Sequence, residues 1–469
     1  MSLNPGPSTP LPKLQITIAA LLQAGEGFAG TVIFPFVPKF VQDTGITGGD
    51  ERKTGYWAGV LESLFFITKF LSVYIWARAA DRFGRRPIIL IGPLGLAVSL
   101  FGFGCSKTFW GLLFWRGAQG IFNGNLGVVQ TVLVELSDKS NLAQVMSFTP
   151  VAWSSSSTFG PVIGGLLSEP AKRFPESLGK LRILQENPYL LPCAVVGLSS
   201  LLTFLFALFA LKETSPAILA SQNKRTDEAG PLLGDDTAAE TNVYGSISPT
   251  SKAEDAAPDV WELLTPKLTI PLVNSAILSL VHTSYQVLFP LVYATSIANG
   301  GLGFSPYDIG MTRGISGVIS TVFALVVPAR IIKRYGARTS YITAFSQFLI
   351  CLGAFPILSL LATRAGRVDA LVWCVITIQL TAGLWVGTTF ASLQIFIVRS
   401  VPRPSALSKT NSLSQMVATI TRAMAPFMAS SLFAVSVQNN WLGGYLVYAL
   451  LLVLVCVGIF MSFSLEKEP

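Results

Sequence analysis

Runs of roughly 20 apolar residues recur along the whole chain, separated by short clusters of charge, proline and glycine. A hydrocarbon core about 30 Å thick needs that many residues per helix. The runs at 15–38, 55–76, 87–105, 109–133, 144–167, 188–211, 268–293, 307–328, 339–362, 371–398, 410–436 and 442–464 therefore predict twelve transmembrane helices. Lipid cannot satisfy free backbone groups, and the period-two alternation of a β-barrel is absent, so an all-α membrane protein is expected. The first run is too long for a cleaved leader and lacks a small-residue cleavage site, so it is expected to remain as a span.

The pattern breaks once. Residues 212–267 are polar, rich in Ala, Ser, Asp and Glu, and read as a disordered linker between two six-helix halves, 15–211 and 268–464. Tails at 1–14 and 465–469 complete the chain. Two halves in the same orientation form a parallel repeat, an architecture that transporters use. Within the linker, residues 228–233 and 244–247 resemble acidic-dileucine and tyrosine-based sorting signals.

Polar side chains inside the apolar runs fall at helical spacing. Arg116, Gln119 and Asn123 share a stripe of the fourth helix, and Ser275, Ser279, His282 and Gln286 one of the seventh. Gln379, Gly383, Gly387 and Gln394 line the tenth, while Asn411, Gln415 and Arg422 line the eleventh. Glu26 lies halfway along the first helix, and Glu62 and Lys69 in the second are two turns apart, so each needs a partner on another helix. Because a mid-membrane charge is expensive, these residues should face the bundle interior or a wet cavity between the halves. The third, sixth, ninth and twelfth helices carry no interior charge and read as lipid-facing scaffold.

Composition supports this reading. Mean hydropathy is +0.57, with 51% hydrophobic and only 12% charged residues, against about a quarter charged in soluble domains. Lys and Arg are about twice as frequent in connections on the side of the N-terminus, which places both termini in the cytosol. The net charge of +8 is then a topology signal and a contact with anionic headgroups, with no nucleic acid implied. Five cysteines stand singly without a C-x-x-C pair, and one histidine cannot assemble a zinc site, so neither metal nor cofactor is expected. No nucleophile elbow, His or Asp cluster or phosphate loop points to an enzyme.

Between the second and third helices stands "ARAADRFGRRP", in which Asp81 and Gly84 are unexplained by topology. With Arg82, Arg85 and Arg86 this stretch resembles the G-x-x-x-D-R-x-G-R-R loop of the major facilitator superfamily, with Ala77 where that family has Gly. The resemblance covers essentially the full length. It implies a conformational latch, Asp81 docking on the start of the eleventh helix near Thr410 when the cytosolic side is closed. The related stretch after the eighth helix keeps Gly336 and Arg338 but has Lys333 in place of the acid. "FGPVIGG" in the fifth helix, with Gly160, Pro161, Gly164 and Gly165, resembles the motif of proton-coupled antiporters, and "RGAQG" from Arg116 resembles the intramembrane arginine motif tied to proton transfer. Arg116 would then tune a neighbouring carboxylate. Longer stretches around the second and fourth helices look most like the fungal drug:H+ antiporter and zinc-induced-facilitator-like group, although the Cys-Pro-Gly-Cys element of the plant members is missing.

The resemblance implies a monomeric, proton-coupled exporter of a small amphipathic organic molecule working by alternating access in contact with membrane lipids, at the plasma membrane ahead of the vacuole. Glu26 is the first candidate for the titrating group, followed by Glu62 and His282. Two intramembrane acids leave room for an organic cation as cargo, Arg422 could contact an anionic substrate or neutralise an acid, and Tyr285, Tyr293, Trp385 and Phe390 suit an amphipathic or aromatic molecule. A nutrient symporter of the same fold and a non-transporting membrane sensor are the alternatives.

Overall fold

The computed structural model describes residues 12–137, 145, 148–215, 218, 265–401 and 407–466, and all regular structure in them is helical. The first span is Lys13–Thr31, continued after a turn by Val37–Asp43. The second is Thr54–Phe83, the third Arg85–Gly104, and the fourth Phe109–Asn123 followed by Leu126–Glu135. The fifth is Phe148–Leu167 and the sixth Leu190–Ala210. In the other half the seventh is Pro266–Ala294, the eighth Pro306–Tyr335 and the ninth Ala337–Ala365. The tenth is Ala370–Gly383 with Val386–Arg399, the eleventh Leu407–Gln438 and the twelfth Leu446–Ser462. Eight described helical segments are individually long and apolar enough to cross a membrane. Most of the expected linker, with both sorting-like patterns, lies outside the described residues, as do residues 1–11 and 467–469.

Three spans are broken where sequence reading drew one continuous helix. The first turns at residues 32–36, where Pro35 and Pro38 remove backbone donors. The fourth breaks at Gly124 and Asn125; a β-carbon at Gly124 would lie 2.1 Å from the Ser72 hydroxyl, so the second span can approach only a glycine. The Asn125 amide donates to the Ile88 carbonyl of the third span, 2.7 Å away.

The second span does not end at residue 76. It continues as helix through the charged stretch to Phe83, and Gly84, at φ 98 and ψ 164, is the whole connection to the third span. Gly336 joins the eighth and ninth spans in the same way at φ 80 and ψ 159. Side chains rarely adopt this positive-φ geometry, so both halves place glycine there.

The first half has two apolar clusters, one around Phe36, Phe40, Phe103 and Tyr189 and one around Leu22, Ile88, Val129 and Ala207. Between them lies the layer containing Glu26, Glu62, Arg116, Gln119 and Asn123, all buried. The second half has one large cluster running from Leu278 to Leu465, with Tyr285, Phe289, Tyr293, Phe348 and Phe355 at its centre. Exposed apolar stripes at helical spacing, such as Leu198, Leu202, Leu205 and Phe209 of the sixth span, suit contact with lipid chains.

Candidate functional site

Arg116 donates to Glu62 Oε2 at 2.9 Å and to Gln119 Oε1 at 2.7 Å, and to the Ala29 and Gly30 carbonyls at 3.3 Å each. Its guanidinium also lies over the Phe65 ring, 4.2 Å from the centroid. The Arg116 and Glu62 side chains are 0% and 3% exposed, so the pair is closed to water. The Asn123 amide donates to the Glu26 carbonyl at 3.0 Å, and its oxygen accepts from Lys69. Glu62 and Lys69 therefore both find their partners on the fourth span, as their spacing requires. The carboxylate beside Arg116 is Glu62; Glu26 has Lys69 as its cationic neighbour. Glu26 is buried in the first half, lining a tight pocket with Leu22, Pro93, Leu96, Ser200 and Thr203, and its Oε2 has no hydrogen-bond partner.

In the second half the Gln286 amide donates to His282 Nε2 at 2.9 Å, an arrangement that needs that ring nitrogen to accept. His282 stands edge-on to Phe390, with centroids 5.3 Å apart. Arg313 lies over the rings of Phe289 and Tyr285, at 4.0 and 5.3 Å. Gln379 does not join the cleft as its stripe predicts. It accepts from the Tyr293 hydroxyl at 2.8 Å and donates to the Cys351 carbonyl at 2.7 Å, tying the seventh, ninth and tenth spans inside the core. Tyr285 and Tyr293 are core residues as well.

Exposure thus divides the sequence-selected residues into two sets. Glu26, Glu62, Arg116, Gln119, Asn123 and Gln379 are buried, whereas His282, Gln286 and Arg422 are partly open, together with Lys69 and Arg313. A cation near mid-membrane costs roughly 2.5–3.5 kcal/mol on the insertion scale, so the partly open cations are expected to face a cleft between the halves and not lipid.

One end of that cleft is sealed. A β-carbon on Gly59 would lie 1.8 Å from Ser430 Oγ, and one on Gly165 2.5 Å from the Pro306 carbonyl, so the second and eleventh spans, and the fifth and eighth, meet across the halves backbone to backbone. The Phe427 amide next to Pro426 donates to Ser63 Oγ at 2.9 Å. Glu51 spans the same seam, accepting from the Ser296 amide, the Ser296 hydroxyl and the Asn299 amide at 2.9, 2.6 and 2.8 Å. In the fifth-span motif, Gly160 and Gly164 admit the turn at Thr31 and Val32 of the first span, while Pro161 and Gly165 pack on Gly310 of the eighth.

Toward the opposite end, Leu71 and Tyr74 of the second span and Met416 and Ile420 of the eleventh are exposed. Asp81 is not docked near Thr410. Its side chain is 70% exposed and pairs with Arg85 at 2.5 Å, while the buried Thr410 hydroxyl has no partner. The Arg85 guanidinium, one turn further on, takes up the Asp81 charge within the first half. Arg82 stacks on Phe83, Arg85 also pairs with Glu135 at 3.2 Å, and Arg86 donates to the Leu208 carbonyl.

Sequence reasoning missed Glu213. Its carboxylate accepts from the Arg85 and Arg86 amides at 2.8 and 3.0 Å, capping the third span where the helix dipole favours an anion. A β-carbon on Gly84 would lie 2.6 Å from Glu213 Oε2. Burial alone would raise the Glu213 pKa, yet the amides of Ser215, Arg85, Arg86 and Thr214 outweigh it and hold the carboxyl below its ordinary value. Thr214 donates onward to Glu135 at 2.6 Å, so the head of the expected linker is built into the latch.

A profile described as Major Facilitator Superfamily matches residues 19–359. The major facilitator-type transporter psiT2 of Psilocybe cyanescens is 28% identical, over 98% of this chain and 91% of its own length. The efflux pump azaK of Aspergillus niger is also 28% identical, over 97% and 88%. Among solved structures, a bacterial homolog of the human lysosomal transporter Spinster, in an inward-facing and unoccupied conformation, superimposes with a TM-score of 0.67 at 13% identity, covering 99% of this chain and 100% of that one.

Proposed function

The chain belongs to the major facilitator superfamily, and from that membership we propose that it exports a small amphipathic organic molecule in exchange for protons, by alternating access about the cleft between its halves. As a multi-pass membrane transporter of this family it moves small molecules; the direction and the coupling ion are what the proposal adds. With the N-terminus in the cytosol, the sealed end faces outward and the open end with the latch faces the cytosol, where an exported molecule is collected. The plasma membrane is the proposed site.

The exchanging proton is assigned to Glu26. The observation that carries this choice is that Glu26 is buried at mid-span and makes no ion pair among the described residues, whereas Glu62 is bound to Arg116. A carboxyl without a fixed ion pair can gain and lose a proton without breaking the packed layer around it, and its cationic neighbour Lys69 is partly exposed and is also a neighbour of Arg422 in the other half. In proteoliposomes, Glu26→Gln is expected to abolish transport driven by a pH gradient while substrate exchange at equal pH continues. Unchanged pH dependence in that variant removes the assignment.

A further inference from the structure

We propose that the cleft takes an organic anion, a carboxylate, phosphate or sulfate on a flat apolar body, and that Arg422 pairs with the anionic group. The inference rests on the transporter reading above and names the class of its cargo, an anion where two intramembrane acids leave room for a cation.

Among the described residues, the span interiors hold Lys69, Arg116, Arg313 and Arg422 against Glu26 and Glu62. Both acids lie in the first half, buried, and neither offers a face to the cleft. Glu62 is bound to Arg116, and Glu26 stands beside Lys69. A cationic cargo therefore finds no open counter-charge. In the second half no acid pairs with Arg313 or Arg422 among the described residues. Arg313 is held over the faces of Phe289 and Tyr285, which accommodate a cation without an acid.

Arg422 has no such support. Among the described residues, the charged or titratable groups that act on it are Lys69 of the second span and His282 of the seventh, and both are basic. The second and eleventh spans are sealed together at Ser63 and Phe427. Lys69 and Arg422 lie further toward the open end, roughly 9 and 8 Å along their helices at about 1.5 Å per residue. Both are partly exposed and lie on the cytosolic side of that contact, one in each half, with the Lys69 ammonium held by Asn123 and Arg422 without an acid partner among the described residues. Like charges near one another in a low-dielectric site repel, and an anion beside Arg422 relieves that repulsion. Phe390, edge-on to His282, offers an apolar wall for the rest of the molecule. A cytosol at negative potential also favours outward movement of an anion.

The test compares three probes on one ring system: 1-naphthoate, the neutral 1-naphthamide and the cationic 1-naphthylmethylammonium. Binding to the purified full-length chain is read as ligand-dependent melting temperature. Naphthoate is expected to stabilise the wild type at concentrations where the other two do not. Its apparent affinity should fall at least about tenfold in Arg422→Gln and be largely kept in Arg422→Lys. The wild-type ranking needs no variant to fold. Preference for the ammonium, no selective stabilisation by naphthoate, or an Arg422→Gln protein that binds naphthoate normally overturns the proposal. Transport in inside-out vesicles separates it from the reading beneath. Proton-driven uptake of the ammonium and not naphthoate keeps proton exchange and removes the anion. Naphthoate uptake indifferent to pH keeps the anion and removes proton exchange.

Discussion

Gly165 of the fifth span and Gly310 of the eighth approach so closely that a β-carbon built on either would lie 2.7 Å from the α-carbon of the other. The contact joins the two halves, so it exists only while this end of the cleft is sealed. Gly165→Val is expected to insert and fold, because each half packs independently, yet to lose the sealed state. Transport should fall by at least about tenfold, equivalent to about 1.4 kcal/mol, and thiol reagents from the sealed side should reach a cysteine placed at Ser430. A variant with normal transport would show that the seam opens and closes elsewhere.

Glu51 holds the same seam with three hydrogen bonds to the 296–299 turn. Bonds to a charged acceptor contribute about 1.5–3 kcal/mol each when buried and less here, where solvent screens them. Glu51→Ala is expected to move the population toward opening at this end, read as a longer spin-label distance between residues 46 and 298. An unchanged distance distribution would place the closure in the glycine contacts alone.

The Glu62–Arg116 pair predicts a specific pattern in a double-mutant cycle. Glu62→Gln leaves Arg116 charged and buried, and Arg116→Gln leaves Glu62 so; each is expected to destabilise by about 3–5 kcal/mol. The double variant should be more stable than the sum, because neither charge is stranded. Additive losses in detergent melting experiments would mean the two side chains act independently.

Glu213 gives a pH dependence whose sign follows from its capped carboxylate. Its folded pKa lies below the ordinary 4.5, so the unfolded chain binds more protons in the acid range. The stabilisation is present above the ordinary carboxylate range and lost as pH falls through the depressed folded value. At neutral pH, Glu213→Gln should melt earlier, by the worth of a helix cap of about 1 kcal/mol. The gap from wild type should narrow as the pH drops below about 4. A gap constant with pH would show that the charge of Glu213 is not what the third span uses.

The spans were legible because lipid imposes one rule, roughly 20 apolar residues per crossing, and this chain obeys it. The breaks at residues 32–36, 124–125 and 384–385 were not, since apolar composition continues through them, and the one at Gly124 answers to Ser72 of the second span. The stripes on the fourth and seventh spans located Arg116 and His282 but could not say what faces them. That is why Gln379 read as a cleft residue although it is bound within the core. Glu213 left no local signal, because its partners, the Arg85 and Arg86 amides, are 128 and 127 positions away in sequence.

A single residue, Gly84, separates the second span from the third, and Gly336 separates the eighth from the ninth. Joints this short carry no slack. Any tilt of the second span against the eleventh must drag the head of the third with it, along with the Glu213 carboxylate fastened there. The wall of the cleft and the root of the tether between the halves are thus one mechanical train, joined through Gly84 and the Glu213 carboxylate.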